Sequence, residues 1–210
     1  MRLELRLVIS VLLSVAVTQT PVPGRPTGYI YQSPSSPKIV VEAFYDLLCV
    51  DSKANWPVLK EVFGQFSDKD IEGIIHIFPL PYHHNAYFMQ QASVVVRQTD
   101  PSQFVKMMEL IFQQQDMFLT GAVNMTEPQV QKMIAESLSQ NLPVDYNRVM
   151  EGFTDEVVTR EARYAWKYAA SRAVTGTPQF LVNGVHVPSA PNYSVLEWFQ
   201  FISSLLDTPY

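Results

Sequence analysis

Two apolar runs, KIVVEAFYD from Lys38 to Asp46 and GIIHIFPL from Gly73 to Leu80, bracket a stretch of helical periodicity. Both runs are rich in β-branched and aromatic residues, as buried strands are. Between them, Trp56, Leu59, Val62 and Phe63 recur at helical spacing, and Asp51 or Ser52 is placed to cap the start. Pro57 lies inside that helix and is expected to kink it. Strand, helix, strand in this order is a parallel crossover, which sets the two strands side by side in one sheet.

The next hundred residues read as helices. Phe88, Ala92, Val95 and Val96 mark the first, over Asn85 to Gln98. Asp100-Pro-Ser-Gln103 and Thr126-Glu-Pro-Gln129 both carry a capping acceptor, an early proline and a glutamine three residues on, and each opens a further helix. A short piece follows near Tyr146 to Met150, then a helix over Asp155 to Ala173. Strands return at Thr177 to Val182, where Asn183-Gly184 predicts a hairpin to Val185-His186-Val187. Ser194-Val-Leu-Glu197 is a capping box for a last helix. The expected class is α/β, a mixed sheet flanked by helices, with a helical insertion between the second and third strands.

Ahead of this domain, Arg2 and Arg6 precede the apolar run Leu7 to Val17. The run falls short of the roughly 20 residues that span a bilayer and matches a signal-peptide core, with cleavage expected between Ala16 and Thr20. An uncleaved anchor is the alternative. Residues 19–37 hold five prolines and read as an arm that Tyr29-Ile30-Tyr31 pins to the surface. The expected organisation is a signal peptide over 1–18, the arm over 19–37, and one domain over 38–210 with its insertion at about 84–173. The destination is the endoplasmic reticulum lumen or the exterior. Without residues 1–18 the chain has 13 basic and 19 acidic residues, a net charge of −6. With no basic cluster, it is a poor candidate for binding nucleic acid. No membrane contact is expected after signal cleavage.

Cys49 is the only cysteine, so no internal disulfide can form and packing must hold the fold. The triplets at Asn124 and Asn192 are glycosylation acceptors that agree with a secretory route. No metal-ligand spacing and no phosphate-binding glycine loop is present. Adjacent His83 and His84 do not face one another and read as capping or surface residues, and His76 reads as a satisfied core histidine. Met107, Met108, Met117 and their aromatic neighbours at helical spacing read as core.

The chemistry rests on two features taken together. Cys49 stands where a strand meets a helix, and there the unpaired N–H groups and the helix dipole favour a thiolate. Pro178, in Gly176-Thr177-Pro178, opens a strand where no ladder N–H is needed. From Lys38 to Leu206 the chain resembles the thioredoxin-like fold in its DsbA-like form. KIVVEAFYD leading into Cys49, Pro57 eight residues later, FPLPYHHNA after the second strand and TGTPQFLVNG near the end carry the resemblance. That family has a C-x-x-C pair at the helix start, a cis-proline loop packed against it and a helical cap domain. The resemblance implies that Pro178 is the cis-proline and that Thr177 presents its backbone to a peptide or thiol. The layout also resembles secretory thioredoxin-like proteins with a C-x-D-S stretch.

The departure from the DsbA-like pattern is Ser52. The motif reads Cys49-Val50-Asp51-Ser52, and a serine cannot resolve a mixed disulfide. Ser52 is placed to donate a hydrogen bond to the Cys49 sulfur, while the negative charge of Asp51 opposes a thiolate. What the resemblance leaves open is monothiol chemistry, oxidoreductase or isomerase, with Cys49 as nucleophile, protein or peptide thiols as partners and glutathione as candidate co-substrate. No resident cofactor is expected. The alternative is a non-catalytic peptide-binding or chaperone module that uses the groove at Thr177 and Pro178. A glutathione-conjugating enzyme resembling the kappa-class transferases shares the fold, but the leader fits it poorly.

Overall fold

The computed structural model describes Val22, residues 27–66 and residues 70–208; the leader over 1–18 lies outside the described residues. Among the described residues, a five-stranded mixed sheet is flanked by eight helices. The strands are β1 (Tyr29–Gln32), β2 (Ile39–Tyr45), β3 (Ile71–Ile77), β4 (Gln179–Val182) and β5 (Val185–His186). The spatial order is β1-β3-β2-β4-β5. The central β2 and β3 are parallel, in the register Ile39↔Ile71 to Tyr45↔Ile77. All other neighbours are antiparallel.

The crossover between β2 and β3 is helix α1 (Val50–Gln65). Cys49, rather than Asp51 or Ser52, is its N-cap residue: Cys49 is extended (φ −81°, ψ 125°), and its carbonyl accepts the first helical bond from Lys53 N at 3.1 Å. Six helices separate β3 from β4: α2 (Ala86–Thr99), α3 (Phe104–Gln113), α4 (Gln115–Phe118), α5 (Glu127–Asn141), α6 (Tyr146–Gly152) and α7 (Glu156–Ser171). Asp100 does cap a helix start, but the turn it opens is a 3₁₀ turn over Pro101–Gln103 that runs straight into α3. Reciprocal capping boxes open α5 at Thr126 and α8 (Val195–Leu206) at Ser194. Asn183 and Gly184 turn the β4–β5 hairpin with φ of +49° and +77°, the conformation that Asn-Gly supplies at least cost.

The proline-rich arm is pinned through Tyr29 and Tyr31, as the sequence suggests, and it also joins the sheet. Its Tyr29–Gln32 segment is an edge strand, antiparallel to β3. The tyrosines give the physical reason: Tyr29 stacks on Phe104 at 4.3 Å, and Tyr31 stacks on Phe63 at 5.1 Å. Those rings anchor a four-residue strand that backbone bonds alone would hold weakly. One main core joins the sheet to the helices, including Tyr45, Trp56, Phe63, Met107, Met108, Phe118 and Trp198.

Candidate functional site at the C-terminal ends of the parallel strands

Cys49 lies just beyond β2, at the head of α1, and is 5% exposed. Its thiol donates to the Thr177 carbonyl at 3.3 Å, across 128 residues of sequence. The Thr177–Pro178 peptide bond is cis. The two features singled out in the sequence therefore meet. The cysteine side chain packs in a small apolar cluster with Phe44, Phe78, Leu80 and Leu181.

The loop that carries Cys49 is held by groups distant in sequence. Asp46, fully buried, accepts from Leu48 N at 2.8 Å and from Leu80 N at 2.8 Å, and pairs with His83 Nδ1 at 2.7 Å. One carboxyl group thus ties the Cys49 loop to the loop after β3. Burial raises the Asp46 pKa from the usual carboxylate range, outweighing the three hydrogen bonds that act to lower it. From the helical insertion, the buried Gln115 side chain donates to the Leu47 carbonyl at 2.9 Å and the Cys49 carbonyl at 3.0 Å.

Ser52 takes a different part from the one expected. It is fully buried, and its Oγ accepts from Asp46 N at 3.3 Å. Its hydroxyl therefore serves the loop backbone, and among the described residues no hydrogen bond joins it to the Cys49 sulfur. Val50 and Asp51 are both exposed in the first turn of α1. Asp51, Asn55, Thr177, Pro178, Asn192 and Tyr193 line an open groove of about 420 Å³. The Asn55 amide donates to the Pro191 carbonyl at 3.2 Å, while its oxygen accepts from the Tyr45 hydroxyl at 2.7 Å. These bonds fix one wall of the groove. Thr177 Oγ1 is buried with no hydrogen-bond partner among the described residues.

Both sequon asparagines are exposed, Asn124 in a loop and Asn192 on the groove. Asn192 lines the groove together with Thr177 and Pro178. The Ser194 hydroxyl that completes the Asn192 triplet is already bound to Glu197 Oε2 at 2.7 Å.

A second polar group crosses the sheet. Glu42 Oε2 accepts from the Tyr168 hydroxyl at 2.6 Å and pairs with His76 Nε2 at 3.0 Å. Burial alone would raise the Glu42 pKa, but the bonds from His76 and Tyr168 prevail and lower it. Burial lowers the His76 pKa against the pull of Glu42, so a neutral imidazole donates through Nε2 to an ionised carboxylate. Among the described residues His76 Nδ1 has no hydrogen-bond partner, so this core histidine is only half satisfied there. Its ring stacks between Phe44 at 4.6 Å and Tyr168 at 5.0 Å.

Sequence reasoning missed two residues. His83, expected as a capping or surface residue, is 20% exposed in its side chain and committed to Asp46. Gln115 gave no signal at all. The register offers one for His83: Asp46 and Phe78 follow directly on paired β2 and β3 ends, where open α/β sheets gather their functional groups. Among the described residues, no group of three or more His, Cys, Asp or Glu side chains could hold a metal ion.

No protein-family model matches the sequence, and no curated protein matches it. Solved structures do share its shape. BdbD from Bacillus subtilis in its oxidised form is 17% identical, with a TM-score of 0.69 over 90% of this chain and 100% of that one. The thiol-disulfide exchange protein alpha-DsbA2 from Wolbachia pipientis is 13% identical, with a TM-score of 0.61 over 84% and 87%. The oxidoreductase DsbA from Xylella fastidiosa is 17% identical, with a TM-score of 0.59 over 90% and 96%. At these identities the likeness establishes the fold: a DsbA-like thioredoxin fold with a helical insertion between the parallel pair and the hairpin.

Proposed function

We propose that this DsbA-like thioredoxin fold serves a secretory-pathway protein that exchanges disulfides through the single thiol of Cys49. The Cys49 thiolate attacks one sulfur of a protein or peptide disulfide. A new bond forms at Cys49 Sγ, and the other substrate sulfur leaves as a thiolate. With Ser52 in place of a resolving thiol, a second thiol, from the substrate or from a glutathione-type co-substrate, attacks the mixed disulfide and releases Cys49. No net oxidation occurs, so the activity is isomerisation or shuffling. The observation that carries this reading is the 3.3 Å contact between Cys49 Sγ and the Thr177 carbonyl, at a helix head and beside the groove. The apolar run Leu7 to Val17 supports the secretory route. Among the described residues, no helix is long and apolar enough to cross a membrane. The test is exchange between two peptide disulfides in the presence of the reduced protein. Wild type should accelerate it, Cys49→Ser should abolish the acceleration, and Ser52→Ala should leave a catalytic rate.

A second reading is a peptide-binding module without chemistry. The 5% exposure of Cys49 next to a 420 Å³ groove favours it. An extended peptide would then pair with the backbone at Thr177. Under this reading Cys49→Ser retains peptide affinity and there is no exchange activity to lose.

A further inference from the structure

We propose that the pocket between the loop 79–84 and helix α7 binds a small organic anion with an apolar body, an aryl or alkyl carboxylate. The cavity measures about 470 Å³, within the range of small-molecule sites. It shares no lining residue with the groove at Thr177 and Pro178, and the inference does not depend on the chemistry of Cys49.

Three observations carry it. The first is an apolar floor that stays wet. Trp166 stacks on Phe78 with ring centroids 5.6 Å apart, yet remains 41% exposed, and Leu80 and Pro81 flank it in the cavity. The second is a cationic wall. Arg163 and Lys167 stand one turn apart on α7 and both line the pocket, so their side chains project to the same side. Neither makes an ion pair or a hydrogen bond among the described residues, and no Asp or Glu lines the pocket. On their other side the two cations line a second cavity with Glu156 and Arg160, but in this pocket, in a chain of net charge −5, they face an exposed indole with no carboxylate among the lining residues, which is complementary to an anion. The third is His83. Its Nδ1 is bound to the buried Asp46, so Nε2 is the ring nitrogen left for a ligand. Carboxylate on Arg163 and Lys167, apolar body on Trp166 and Leu80, is the arrangement these groups accept. The walls are helix and loop, with no strand edge to pair with a peptide backbone.

The test titrates the mature chain with 3-phenylpropionate and follows tryptophan emission. Trp56 and Trp198 are buried, so the exposed-indole signal belongs to Trp166. Calorimetry gives the affinity independently. Saturable binding is expected, weakened about fivefold by each of Arg163→Ala and Lys167→Ala. The neutral alcohol 3-phenylpropanol should bind at least as weakly as 3-phenylpropionate binds the double variant. Sulfate should not compete at the same concentration. Thermal unfolding confirms that these surface variants fold. No saturable binding, equal binding of acid and alcohol, or displacement by sulfate at matched concentration would overturn the proposal.

Discussion

The carboxyl group of Asp46 and the imidazole of His83 meet at 2.7 Å and lock the loop bearing Cys49 to the loop that follows β3. Asp46 also takes the N–H groups of Leu48 and Leu80, both buried. Asp46→Ala should therefore strand two buried donors and lower the unfolding free energy by about 2–5 kcal/mol. Asp46→Asn keeps one acceptor and should cost less, and His83→Ala, at the partly exposed end of the pair, less again. Urea unfolding midpoints measure the series. An unchanged midpoint for Asp46→Ala would remove Asp46 as the link.

Gln115 makes a separate claim on the same loop. Its amide spans the Leu47 and Cys49 carbonyls from within the helical insertion. Gln115→Ala should cost about 1–3 kcal/mol and should speed alkylation of Cys49 by a small neutral reagent in the folded protein. If stability falls while the labelling rate stays put, the amide supports the insertion alone and not the Cys49 loop.

Acid should weaken the fold in two stages. The lowered folded-state pKa of His76 contributes stability that is complete above its ordinary value of 6.5 and is lost as pH falls toward the folded value. The lowered pKa of Glu42 contributes stability complete above 4.5 and lost as pH falls further. Asp46 acts in the opposite sense: its raised pKa lets the folded state keep a proton that the unfolded chain releases above 3.8, which favours folding as pH falls through that window. The Tm should thus begin to drop below about pH 6.5. His76→Gln should flatten the upper part of that decline and leave the lower part. A wild-type Tm that stays constant from pH 7 to pH 5 would contradict the neutral, buried state of His76.

The parts of the fold that the sequence made legible are those with local causes. The β-branched run Ile39–Tyr45, the capping boxes at Thr126 and Ser194 and the Asn183-Gly184 turn each state their structure within a few residues. The edge strand Tyr29–Gln32 was obscured because its hold comes from Phe63 and Phe104, rings far along the chain, rather than from its own short pattern. The approach of Cys49 to Thr177 followed only from the family resemblance, since nothing local joins residues 128 apart. The hydroxyl of Ser52, expected to face the Cys49 sulfur, accepts instead from Asp46 N, a partner set by the tight turn between β2 and α1. Asp46 with His83, and Gln115 with the Cys49 carbonyl, depend on strand register and helix docking, which single-sequence periodicity does not carry.

The most direct measurement is the intact mass of the folded, reduced protein after exposure to oxidised glutathione, before and after free thiol is added. If Cys49 is an exchanging thiol, one glutathione should attach per chain under native conditions, should be absent from Cys49→Ser, and should leave when the thiol is added. If no adduct forms until the chain is unfolded, Cys49 is a buried apolar residue that does no exchange chemistry, and the monothiol account fails.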